Sequence, residues 1–197
     1  MKIFYTPRNF KFENSILVPI DSSVELSSDG YQFFTEIFQS YDKDKDGALK
    51  EAELNDLFST TPGNPWEDSE FPSTTVTHDG AVTLQGFLAQ WSMTTLLNYN
   101  VTLSYLAYLG YPRKDTISAL KVTKPRGTFE RKRGKIQRDV FLAYVLGATG
   151  SGKSSLIRAF INQKFSETYT PTTRPYGVVN SVEIAGSEKY LVVSLVD

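Results

Sequence analysis

Residues 42–53 read DKDKDGALKEAE, and this stretch constrains the fold more than any other in the chain. Acidic residues at the first, third and fifth places, glycine at the sixth and glutamate at the twelfth match the pattern D-x-[DN]-x-[DN]-G-x5-E without a mismatch. Calcium is a hard cation that takes about six to eight oxygen ligands. Asp42, Asp44 and Asp46 supply carboxylates, Ala48 its carbonyl and Glu53 a bidentate carboxylate, while Gly47 permits the sharp turn. A loop of this kind needs a helix on either side. Phe33, Phe34, Ile37, Phe38 and Tyr41 fall at helical spacing before it, and Leu54, Leu57 and Phe58 after it. Lys50 at the ninth position departs mildly from the pattern, and its charge is expected to weaken affinity, which otherwise falls at about 10⁻⁷–10⁻⁵ M.

EF-hands work in pairs, and a second loop is aligned by placing Gly80 under Gly47, a spacing of 33 residues. Asp79 then matches Asp46 and Val82 matches Leu49, two apolar positions suited to a short shared strand. Thr75 and Thr77 replace aspartates, however, and Gly86 replaces the bidentate glutamate. Too few carboxylates remain to offset the dehydration of calcium. The expectation is one calcium site and a degenerate hand over about 67–97, with the chain's one histidine, His78, exposed in its loop. Two apolar helical stretches follow, Leu84 to Leu97 and Val101 to Leu109. The second is either an ordinary core helix or an amphipathic helix that fills the groove of the EF-hand pair in cis.

A second loop carries different chemistry. Residues 147–154 read GATGSGKS, a full match to G-x-x-x-x-G-K-[ST]. An apolar strand candidate, Val140 to Leu146, precedes it and a helix candidate, Ser155 to Ile161, follows. In that order the backbone N–H groups of Gly150, Ser151, Gly152, Lys153, Ser154 and Ser155 cradle phosphate oxygens at a helix N-terminus. Lys153 neutralises the β- and γ-phosphates and Ser154 ligates magnesium. Next come the loop Tyr169 to Thr173, a strand candidate from Gly177 to Ile184, a turn at Gly186-Ser187 and a strand from Tyr190 to Val196 ending at Asp197. This order resembles the first half of a Ras-like GTPase. The resemblance gives Thr172, or Thr173 as the runner-up, a role in catalysis with Lys153, and places Thr172 and Asp197 beside Ser154 on magnesium. Thr149 stands where Ras-like proteins usually have glycine, which can obstruct the arrangement an arginine finger needs. No guanine-specifying motif occurs, so these residues alone support GTP no better than ATP.

The net charge of −1 conceals two opposed segments. Residues 42–70 hold nine acidic and three basic residues, net −6, and residues 113–138 hold ten basic and two acidic, net +8. The basic segment contains Pro125 and Gly127 and reads as a connection between modules, partly ordered at best. No nucleic-acid-binding motif accompanies its charge. The absence of cysteine excludes a disulfide framework, thiolate zinc sites and cysteine catalysis. No apolar run approaches the about 18–20 residues of a membrane span. The organisation expected is an α-helical EF-hand module over 1–112, with calcium loop 42–53, a degenerate hand at about 67–97 and a last helix at about 100–110, then a basic linker over 113–138. The start of an α/β P-loop domain follows over 139–197.

Both loops in one chain, in this order, resemble the middle of the mitochondrial Rho GTPase (Miro) family. The likeness is carried by Val18-Pro19-Ile20-Asp21, Val24-Glu25-Leu26, the calcium loop, Pro65-Trp66, Gly86-Phe87-Leu88-Ala89-Gln90-Trp91 with Thr95-Leu96-Leu97, and Leu106-Ala107-Tyr108-Leu109-Gly110-Tyr111. It implies the second EF-hand module with a ligand-mimic helix bound in cis, then the start of the C-terminal GTPase domain, in a fungal member. The implied parent binds calcium and hydrolyses GTP with magnesium on the cytosolic face of the mitochondrial outer membrane. It governs mitochondrial movement, inheritance and morphology, and its partners are guanine nucleotide (GTP or GDP) and mitochondrial transport or membrane-contact-site proteins. Its membrane anchor lies outside this stretch, which is itself expected to be soluble and, alone, inactive. The alternative is a calcium-responsive scaffold whose nucleotide domain turns over little.

Overall fold

A computed structural model describes residues 16–66, 74, 76–77, 79–112, 115–124, 138–168, 177–184 and 186–195. Strand β1 (Val24–Leu26) leads into helix α1 (Ser28–Tyr41), capped by the Ser27 hydroxyl, which accepts from the Gly30 N–H. Gly30, Phe33, Phe34 and Phe38 form the buried stripe of α1. The calcium-type loop then carries strand β2 (Ala48–Leu49) and opens helix α2 (Glu51–Phe58), which buries Leu54, Leu57 and Phe58. Strand β3 (Val82–Thr83) pairs antiparallel with β2, in a register that puts Leu49 opposite Val82.

The span α3 (Leu84–Tyr108) is two successive helices that meet at a kink at Asn98, where φ is −155° and ψ is 84°, outside the helical region. The apolar pattern continues on both sides of that break. The first half buries Phe87, Ala89, Trp91 and Met93, and the second Val101, Leu103, Tyr105 and Leu106. Thr95 and Thr102 face each other across the kink, hydroxyl to hydroxyl at 3.0 Å. Both halves enter a core rich in rings. Phe34 stacks on Trp91 at 4.3 Å, Trp66 meets Trp91 edge-on at 5.0 Å, and Tyr105 lies 6.1 Å from Phe58. The Trp66 indole donates to Thr94 Oγ1 and the Tyr105 hydroxyl to the Gly63 carbonyl, whereas the Trp91 indole N–H is buried without a hydrogen-bond partner among the described residues.

A 3₁₀ turn (Thr116–Ala119) and strand β4 (Leu120–Val122) lie inside the segment read as a basic linker. β4 pairs antiparallel with β1, Leu26 opposite Leu120 and Val24 opposite Val122, so this part of the segment belongs to the helical module.

The second module is a three-stranded mixed sheet with one helix. Strand β5 (Val140–Val145) runs parallel to β7 (Ser187–Leu195), and β6 (Gly177–Ile184) pairs antiparallel with β7, giving the order β5-β7-β6. Helix α4 (Lys153–Phe160) covers one face, burying Ile157 and the following Ile161 against Val178, Val193 and Leu195. The opposite face, with Val140, Val179, Tyr190 and Val192, packs on Ala89 and Met93 of α3. Among the described residues no helix is long and apolar enough to cross a membrane.

Candidate functional site

The calcium-type loop closes on itself. Carboxylate oxygens of Asp42, Asp44 and Asp46 all lie within 4.8 Å of one another. Backbone bonds aim them inward: Gly47 N–H donates to Asp42 Oδ2 at 3.0 Å, and Ala48 N–H to Asp46 Oδ1 at 3.0 Å. Gly47 adopts φ 83°, the left-handed conformation that glycine takes without cost to a Cβ. Glu53 is buried at 8% exposure and spans the loop. Its Oε1 accepts from Lys43 N–H at 2.9 Å and its Oε2 from Lys50 N–H at 3.0 Å. Asp42 Oδ1 is buried without a hydrogen-bond partner among the described residues, an acceptor that suits a cation. Three carboxylates, the Ala48 carbonyl and Glu53 are the hard oxygen donors calcium takes.

Lys50 reaches into this cluster. Its ammonium pairs with Asp46 Oδ2 at 2.7 Å and with Asp44, and this contact holds the Asp44 carboxyl below the ordinary carboxylate range. Lys43 pairs with Asp56 at 2.6 Å on the outer side.

The second loop is tied by its own side chains. Thr77 Oγ1 accepts from Ala81 N–H at 3.0 Å, and its hydroxyl bonds to the Asp79 carboxylate. Gly86 sits in the first turn of α3, where its N–H donates to the Thr83 cap and no side chain reaches the loop. Thr75 and His78 lie outside the described residues.

The GATGSGKS segment stands between β5 and α4, the order that aims helix N–H groups at an anion. Gly150 and Gly152 take φ values of 79° and 87°, and Gly152 is the N-cap from which α4 starts at Lys153. A Cβ on Gly147 would come within 2.9 Å of Ser151 Oγ, a hydroxyl that can rotate away. The Lys153 ammonium spans the loop, donating to Gly147 O at 2.8 Å and Ala148 O at 3.3 Å. Ser154 and Ser155 follow in the first turn of the helix. The donor set fits a phosphate with its magnesium. Thr172 and Asp197 lie outside the described residues.

A family model described as "EF hand associated" matches residues 66–135. "Mitochondrial Rho GTPase 1" of Cryptococcus neoformans is 61% identical over 187 residues, which cover 89% of this chain and 27% of that protein. The chain belongs to the mitochondrial Rho GTPase family. The protein of the same name from Neurospora crassa is 48% identical over 204 residues, covering 97% of this chain and 32% of its own length. That from Saccharomyces cerevisiae is 48% identical over 187 residues, covering 90% and 28%. The chain thus spans about a quarter to a third of the curated relatives it matches. The helical module brings the Asp42, Asp44 and Asp46 carboxylates together, and the mixed sheet presents the phosphate-type loop.

Sequence reasoning missed one polar cluster altogether, formed by Glu25, Lys121, Asp139 and Lys189. The signal present was the alternation Val-Glu-Leu over 24–26 matched by Leu-Lys-Val over 120–122, two short strands that each place one charge between two apolar residues.

Proposed function

We propose that this chain is the calcium-sensing and leading nucleotide-binding part of a GTPase that regulates mitochondrial movement, inheritance and morphology at the outer membrane. The observation that carries the reading is the convergence of Asp42, Asp44 and Asp46 on one point, beside the buried Glu53, in a chain that also holds a complete GATGSGKS loop. Calcium binds once, through Asp42, Asp44, Asp46, the Ala48 carbonyl and Glu53. The second hand, with Thr77 already bonded to Asp79, acts as a structural partner through the Leu49–Val82 pair. The second half of α3 serves as the in-cis ligand-mimic helix, supported by Leu103, Tyr105 and Leu106 in the shared core.

In the nucleotide module, backbone N–H groups from Gly150 to Ser155 orient the phosphates and Lys153 neutralises their charge. Ser154, with Thr172 and Asp197 by family resemblance, holds magnesium, which when bound supplies charge stabilisation to the transferring phosphoryl group. The Gly147 and Ala148 carbonyls take two of the three donors of the Lys153 ammonium and hold it across the loop, in place to meet the phosphates. The residues act by position and electrostatics, with no covalent step. The parent's partners are guanine nucleotide and transport or contact-site proteins of the mitochondrial surface.

Calorimetry with calcium tests the first half of the reading. One site is expected, and two sites would show that the second loop also binds. Single-turnover GTP hydrolysis by a chain extended to the length of its relatives tests the second. Thr149 in the phosphate loop favours a scaffold with little turnover, and a rate equal to that of Lys153→Ala would leave the scaffold as the function.

A further inference from the structure

The short strand β1 serves two masters. Because side chains alternate along a strand, Val24 and Leu26 enter the helical core while Glu25 points the other way. Glu25 is nevertheless fully buried at 0% exposure. It accepts from the Ser23 hydroxyl at 3.0 Å and from the Asp139 N–H at 2.9 Å, and the Lys121 ammonium lies 3.8 Å away. Asp139 immediately precedes β5, the strand that runs into the phosphate loop. Its carboxylate pairs with Lys121 of β4 and Lys189 of β7, and its carbonyl accepts from Tyr190 N–H at 2.8 Å.

An apolar seam continues from this cluster. Tyr31 belongs to α1, the helix that enters the calcium loop. Its ring stacks on Tyr190 of β7 at 5.9 Å and 20°, while its hydroxyl bonds to Ser92 of α3 at 2.9 Å. Ala89 and Met93 of α3, the helix that leaves the second loop, pack on Val140, Val179 and Val192. Gln85, at the start of α3, reaches Ser181 and Glu188 on the β6–β7 hairpin. One helix from each hand therefore rests on the same sheet face, and one buried carboxylate fixes where. A buried acceptor opposite a backbone N–H tolerates little sliding, because any shift leaves both groups unpaired in a dry site.

We propose that Glu25 is the positioning residue of an intramolecular docking surface through which occupancy of the calcium loop is transmitted to β5 and β7 beneath the phosphate loop. The proposal rests on the calcium reading above for the input signal, but the surface exists without it. Calcium tightens the loop between α1 and α2; α1 carries Tyr31 against Tyr190, and Glu25 prevents the sheet from yielding by rotation. Coupling of this kind is reciprocal and falls at about fivefold or more in an equilibrium constant.

The test is hydrogen exchange on the 197-residue chain, as wild type, Glu25→Ala and Glu25→Gln, with and without calcium chloride, beside calorimetry of the same samples. In the wild type, calcium is expected to slow exchange in β5 and β7 by about fivefold or more. Glu25→Ala removes that slowing while calcium stoichiometry stays as it was and, by reciprocity, Kd weakens by no more than the fold lost in the slowing. Glu25→Gln, whose carbonyl still accepts from Asp139 N–H, restores part of it. Wild-type protein that binds calcium with no change in β5 and β7 overturns the proposal, as does Glu25→Ala transmitting like the wild type. Where calorimetry detects no calcium, the functional reading falls on its own. The docking surface is then decided by the ligand-free samples: Glu25→Ala must speed exchange in β5 and β7, and unchanged exchange there refutes it.

Discussion

Glu53→Gln separates two roles that one carboxylate performs. Both Glu53 oxygens are occupied by loop N–H groups, Oε1 by Lys43 at 2.9 Å and Oε2 by Lys50 at 3.0 Å, in a site that is 8% exposed. Glutamine keeps one acceptor and turns an NH₂ group toward the other N–H, so at least one charge-assisted bond is lost. A hydrogen bond to a charged group contributes about 1.5–3 kcal/mol. The loss is therefore felt before any metal is added. For a chain of this size about 1 kcal/mol moves Tm by about 2–4 °C, so thermal unfolding in excess EGTA falls by about 3–12 °C. Calcium binding weakens as well, since the bidentate ligand becomes a neutral monodentate one. Calorimetry and an EGTA melt read the two effects independently. An unchanged EGTA melt refutes the claim that Glu53 staples the metal-free loop; an unchanged calcium Kd refutes its assignment as the twelfth-position ligand.

Three further outcomes are expected. Lys50→Gln removes the ammonium that pairs with Asp44 and Asp46 and tightens calcium binding. The gain shrinks as salt rises, because the competing charge is exposed, and equal Kd values at low salt sink the idea. Gly30→Ala sets about 0.8–1.0 kcal/mol of helix propensity against a Cβ placed among backbone atoms. That Cβ would lie 2.3 Å from the Ala119 carbonyl oxygen. Overpacking costs about 1–3 kcal/mol and a backbone clash lies at the upper end, so urea unfolding shows a net loss of about 1–2 kcal/mol. The third concerns pH at the joint, where Glu25 faces Lys121 and Asp139, with Lys189 beyond. Burial raises the Glu25 pKa above 4.5, so the folded state holds its proton more tightly and stability declines as pH rises from 4.5 through the raised value. Asp139 is opposite in sign. Burial pushes it up, but the Lys121 and Lys189 ammoniums more than offset that, and its stabilisation, complete above 3.8, is lost as pH falls through the lowered value. Glu25→Gln is expected to abolish the decline above 4.5 and keep the acid loss below 3.8 in pH-dependent melts; a decline that persists contradicts the assignment.

What could be read from the chain was local. Calcium-type ligands fall within twelve residues, and the phosphate loop within eight, so spacing alone brings them together. The α1 stripe follows from helical period, and Leu49 opposite Val82 from aligning two glycines. What escaped was non-local. The two helical stretches expected on either side of residue 98 are the two that occur, separated where Asn98 leaves helical φ and ψ, but the packing of their ends, Thr95 on Thr102, could not be read from spacing. β1 and β4 are three residues each, too short for periodicity, and Val24 meets Val122 only through tertiary pairing. Glu25 reads as a polar interruption because its acceptor role is satisfied by an N–H 114 residues away. Lys121 sat in a segment of net charge +8 that looked like a solvated connector. Thr172 and Asp197 lie outside the described residues, and their roles rest on resemblance alone.

The buried Glu25 is hard to explain as a source of stability. Replacing a buried charged cluster by packed apolar residues is often neutral or stabilising, so a joint selected for strength alone would be apolar throughout, like the Tyr31–Tyr190 seam beside it. A carboxylate supplies direction instead. A leucine at position 25 would leave the Asp139 N–H without its acceptor and Lys121 with one carboxylate fewer, whereas apolar contacts alone would let the sheet settle in several rotations on α3 at similar energy. The strand that holds Glu25 is pinned in the helical core by Val24 and Leu26 on either side of it, and the N–H it receives belongs to the residue just before β5. Orientation set at that point is inherited by the whole strand and by the phosphate loop at its far end. On the proposal above, Glu25, with the Lys121–Asp139 pair and the Gln85 contacts beside it, sets how the helical module sits on the sheet.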